Sequence, residues 1–154
     1  MQAIAGPGLP SRAPDVETPA WRWTRRLMLG AIASFLIVAS IGPKLAGAQV
    51  AVDSLATLGW PAASTTTLGL LELACLGLFL VPRTRLLGAL ALTAFLGGAV
   101  ATHLRVGSPL LSHTLFGVYL GAMVWGVVLI EEPVLRRLLL PTRRPKWVRD
   151  ASSV

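Results

Sequence analysis

The sequence predicts an all-α protein: a four-helix transmembrane bundle with a short interfacial helix in the first external loop. Three observations carry this expectation. First, the 154 residues are 54% hydrophobic and only 14% charged, whereas soluble domains carry about 25% charged residues. Second, the apolar residues gather in four runs, 27–42, 62–81, 86–104 and 110–130, each 16 to 21 residues long. A helix needs about 20 such residues to cross the hydrocarbon core. Third, twelve of the fourteen basic residues lie before the first run, between the second and third, or after the fourth, and only Lys44 and Arg105 lie at the opposite ends. This asymmetry follows the positive-inside rule and predicts a multi-pass cell-membrane protein with both termini cytoplasmic. The net charge of +7 is then a contact with anionic headgroups, and nucleic acid is not an expected partner.

Residues 1–20 are rich in Gly, Pro and Ala without periodicity, which predicts a disordered cytoplasmic tail. Residues 21–141 form the expected four-span domain, and 142–154 a basic cytoplasmic tail. Trp21 and Trp23 mark the inner interface, where indoles favour the headgroup level. The first run is short, but Trp23 and Lys44 can extend it by anchoring at the two interfaces. The segment 24–29 (TRRLML) also looks like a twin-arginine export signal, with Ala46-Gly47-Ala48 as a small-residue cleavage site. Lys44 just before that site and the long leader weigh against cleavage.

In the first external loop, Val50, Ala51, Leu55 and Leu58 recur at helical spacing, opposed by Gln49, Asp53 and Ser54. That pattern predicts a short amphipathic helix on the outer surface. The connection Pro82–Arg85 is tight, so the second and third runs should form an antiparallel hairpin. Gly107-Ser108-Pro109 makes the second external turn, and Glu131-Glu132-Pro133 closes the fourth run. Small residues mark Ala89, Thr93, Gly97 and Ala101 in the third run, Gly117 and Gly121 in the fourth, and Gly30 and Ser34 in the first. Such stripes let helices approach closely in lipid. Packing within the chain accounts for most of them, and a homo-oligomer through one stripe is the alternative.

Glu72 is the one acidic residue inside an apolar run. A charge at the centre of a membrane helix costs roughly 2.5–3.5 kcal/mol on insertion scales, so it calls for a partner, a proton or a function. With both termini inside, Lys44 ends the first span, His103 and Arg105 end the third, and Glu72 lies about 12 Å along the second. Lys44, Glu72, His103 and Arg105 therefore converge on one outer-leaflet zone and form the candidate ligand-binding set. A Glu72–Lys44 ion pair that only locks two helices is the plainer account. His103 and Arg105 are two residues apart, about 160° around a helix, so both cannot face the interior. Cys75, one turn from Glu72, reads as an apolar filler. The residues contain no metal-ligand cluster or catalytic set, and no cofactor is expected from them.

Several stretches resemble the DoxX-like family of small four-helix membrane proteins. They are Ile41-Gly-Pro-Lys44-Leu, Leu58-Gly-Trp-Pro61, Leu68-Gly-Leu-Leu-Glu72-Leu, Val81-Pro-Arg-Thr-Arg85 and the long run from Leu87 to Arg105. The resemblance covers about residues 27–140 and implies an uncleaved first helix. The family name comes from proteins linked to thiosulfate:quinone oxidation, and relatives are associated with membrane redox and thiol-stress complexes. By that resemblance the chain is a non-catalytic subunit supporting a membrane redox or quinone-linked partner, with quinone as the cofactor class. A small-molecule or lipid carrier, or a structural assembly factor, is the alternative.

Overall fold

The computed structural model describes residues 19–139. The expected terminal tails fall almost wholly outside that range. All described elements are helical, and no strand occurs among these residues. Helix α1 (Pro19–Leu36) runs through a π-helical turn (Ile37–Ile41) into α2 (Gly42–Leu45), and α3 (Gln49–Thr57) follows. Helix α4 (Ser64–Leu80) is joined by a 3₁₀ turn (Pro82–Thr84) to α5 (Arg85–Arg105). A second π-helical turn (Leu110–Thr114) leads into α6 (Phe116–Glu131), and α7 (Pro133–Leu139) ends the described chain.

Two helical stretches are long and apolar enough to cross a membrane, Ala20–Leu45 and Pro82–Arg105; Ser64–Leu80 and Phe116–Glu131 are shorter apolar helices. Helix α4 packs against α5, α5 against α6 and α6 against α1, while the π turn and α2 return to α4. The core joins Ile32 and Leu36 of α1, Leu76 and Phe79 of α4, Leu92 of α5 and Val124 and Val127 of α6. Outward-facing positions are equally apolar: Leu70, Leu71 and Leu73 of α4 and Leu86, Leu87 and Leu90 of α5 are all exposed. A helix apolar all round needs an apolar environment on its outer face as well.

Close approach depends on particular glycines. A Cβ at Gly88 would lie 2.1 Å from the Phe79 backbone nitrogen, so the α4–α5 hairpin closes only over a bare backbone. Gly117 sits similarly against Val100 and the Leu96 carbonyl. The small-residue stripes themselves are mostly not used this way. Gly30, Gly97 and Gly121 have nothing within 4 Å of a Cβ, and Thr93 and Ala101 are exposed. Close packing follows local interhelical distance, which spacing along one helix does not encode.

Gly59 and Gly107 end α3 and α5 with positive φ. The following amides turn back, Trp60 N–H to the Leu55 carbonyl and Ser108 N–H to the His103 carbonyl. These are glycine C-caps in which only glycine adopts the left-handed residue without cost.

Candidate functional site

Glu72 lies midway along α4, eight residues from either end. Its side chain is 2% exposed. Lys44 Nζ lies 2.6 Å from Glu72 Oε2, and Ser40 Oγ donates to the same oxygen at 2.8 Å. Lys44 also donates to Ser40 Oγ at 2.7 Å. Two charges and a hydroxyl thus close a three-membered network, and charge-assisted bonds of this kind are about twice as strong as neutral ones.

Local sequence builds this network in three ways. Pro43 has no N–H to donate, and the helix just before it relaxes into the π turn, whose Gly42 N–H bonds the Ile37 carbonyl. A Cβ at Gly42 would lie 2.7 Å from that oxygen. One extra residue in the turn rotates α2 about the helix axis by about 100°; such bulges recur at functional sites. Ser40 and Lys44, four residues apart, then share the face toward α4. Finally, Gly69 lets α2 sit directly on α4, since a Cβ there would be 2.9 Å from Lys44 Cβ.

The network lines a cavity of about 960 Å³, within the range of small-molecule sites. Ser54 and Leu55 of α3, Trp60, Phe95 and His103 also contribute to its wall. Lys44 Nζ stands 5.6 Å from the Phe95 ring centroid, a cation–π distance. His103 Nδ1 is 3.0 Å from Ser108 Oγ, which fixes the ring at the cavity edge. Arg105 does not join them. It is exposed, and its Nη2 donates to the Leu58 carbonyl at 2.6 Å, clasping the end of α3 beside Gly59. The helical offset between His103 and Arg105 accounts for the split. Val50, Ala51, Leu55 and Leu58, the expected apolar face of α3, all line the cavity, and Ser54, expected on the polar face, joins them.

Sequence reasoning missed Ser40, because a helical serine is ordinarily satisfied by its own backbone. It also missed a second polar cluster at the far end of the molecule. Glu131 Oε1 accepts Arg25 Nη1 at 2.9 Å and also accepts Arg85 Nη1. Arg85 Nε donates to the Phe79 carbonyl at 3.0 Å and Nη2 to the Leu80 carbonyl at 3.1 Å. Its guanidinium therefore caps the end of α4 while tying α5 to α6 and α1. Cys75 is buried in the apolar core, and no group of three metal-ligating side chains occurs among the described residues.

Apolar helices exposed on their outer faces and a buried Lys–Glu network facing a cavity define a small all-α protein suited to an apolar environment. The sequence pattern of the DoxX-like family matches residues 20–127, and the chain belongs to that family. No curated protein and no solved structure matches it. Family and apolar helices together are consistent with a small membrane protein in a lipid bilayer.

Proposed function

We propose that this protein is a four-span, non-catalytic membrane subunit that holds a lipid-soluble quinone-type molecule for a redox partner. Both termini are cytoplasmic in this reading. The shorter helices α4 and α6 serve as spans, and α3 covers the cavity on the outer side. The observation that carries it is the Lys44–Ser40–Glu72 network, buried at the middle of an apolar helix yet lining a cavity. A pair that only locked helices together would be expected to exclude open space around it, since an unfilled void forfeits packing. The pair is neutral overall, and its hydroxyl, ammonium and carboxylate can hydrogen-bond a carbonyl or hydroxyl ring substituent. Retention of the first helix belongs to the same reading, because Ser40 and Lys44 come from it.

A deletion strain tests the proposal. Resistance to oxidants or thiol stress should be restored by the wild-type chain and not by Glu72→Gln present at the same membrane level. The Gln side chain keeps the shape but leaves the Lys44 ammonium without its carboxylate, so the comparison is made at matched levels of folded, membrane-inserted protein. Full restoration by Glu72→Gln would refute the proposed role. Reporter fusions at either terminus check orientation, and an external C-terminus would contradict it.

A further inference from the structure

A second, smaller cavity of about 310 Å³ lies along the seam between α1 and α6, walled by Ala31, Ile32, Tyr119 and Met123. It shares Phe35, Phe116 and Leu120 with the larger one. The Phe35 and Phe116 rings meet at 5.1 Å between centroids, tilted by 43°, one from each helix. Both rings are partly exposed, as are Tyr119 and Met123, so the groove opens on the outer face of the molecule. Below it the seam closes, because Met28 Cε would touch a Cβ at Gly126 at 3.0 Å. The two cavities are therefore one largely apolar chamber that carries the polar groups and one carbon-lined groove, meeting at an aromatic pair.

We propose that this groove is the tail channel of the ligand, so that the site takes an amphiphile with one hydrocarbon tail. The head occupies the chamber beside Glu72, and the tail leaves between α1 and α6, past Phe35 and Phe116, into lipid. This rests on the ligand-holding role proposed above. The distribution of chemistry carries it. Ser40, Lys44, Glu72 and His103 all line the chamber and none lines the groove. A tail within lipid gains little from burial, so the groove serves to orient the ligand, with the tail running past the Phe35 and Phe116 rings that line both cavities.

The test uses the purified full chain in lipid nanodiscs with two probes. One is a benzoquinone bearing a decyl tail with a terminal diazirine; the other is the same quinone without a tail. Binding of the tailless quinone is read by quenching of Trp60, which lines the chamber, with Trp60→Phe as control. On irradiation the tailed probe should label Tyr119, Met123 and the Ala31 region. Excess tailless quinone should suppress that labelling. Ala31→Phe, a change on an exposed face, should reduce it about tenfold while leaving Trp60 quenching unchanged. Labelling spread evenly over the outward-facing Leu70 and Leu90, which line neither cavity, would overturn the channel and leave the chamber standing. Absence of quenching in the wild-type protein would overturn the chamber, and the channel with it.

Discussion

Two carboxylates of the molecule each place one oxygen between two donors, yet they do so in opposite settings. In the first, Glu72 Oε2 receives Lys44 and Ser40 beside a cavity, halfway along an apolar helix. In the second, Glu131 Oε1 receives Arg25 and Arg85 where helices begin and end. The Arg85 guanidinium also satisfies two carbonyls that α4 leaves open at its terminus. That is a structural clasp, because its donors are consumed by backbone and carboxylate. The Glu72 network uses a flexible ammonium and a hydroxyl, groups that can exchange partners. Similar ion-pair chemistry can fix a turn in one place and remain available to a ligand in another.

The largest expected effect is at the clasp. Arg85→Ala should cost roughly 3–5 kcal/mol, since it leaves Glu131 to Arg25 alone and takes the donor from two helix-end carbonyls. Unfolding in mixed detergent would measure it. Arg85→Lys should recover only part, because one ammonium lacks the planar fork that reaches three acceptors. A near-wild-type Arg85→Lys would blur the contrast between the two carboxylates.

Next comes the pair itself. Lys44→Met should cost about 3 kcal/mol by leaving buried Glu72 without its cation. Adding Glu72→Gln should return most of that loss. Additive costs in the same unfolding assay would mean that the two side chains do not act as a pair. A smaller effect is expected at Gly69→Ala, about 1–3 kcal/mol from overpacking against Lys44 and Leu45. It should weaken quinone quenching of Trp60 as well, whereas a change confined to stability would detach the network's geometry from binding. Smallest of all is Arg105→Ala. An exposed bond to the Leu58 carbonyl should be worth about 1 kcal/mol or less, with binding unaffected.

Much of this architecture was legible in the sequence, and the gaps have physical reasons. Apolar run length and basic-residue placement located the four principal helices, and the spacing of Val50, Ala51, Leu55 and Leu58 located α3. The cost of a buried charge pointed from Glu72 to Lys44, the one cation at the right end of the neighbouring helix. Ser40 stayed hidden because its aim depends on the π turn, which regular periodicity does not predict. Arg85 looked like one more basic turn residue, since its burial arises from how Pro82–Thr84 folds the chain back onto α4. Arg105 was grouped with the site by its position along α5, but its direction around the helix takes it to the α3 loop. Glu131 gave no signal for its two arginines, which lie 106 and 46 residues away.

The contrast between the two carboxylates can be put to one measurement: tailless quinone binding, read by Trp60 quenching, in Glu72→Gln and Glu131→Gln proteins of equal folded yield. Glu72→Gln should weaken binding at least about tenfold, the equivalent of roughly 1.4 kcal/mol, while Glu131→Gln should bind as the wild type does. Equal binding by Glu72→Gln and wild type would contradict the assignment of Glu72 to a working site.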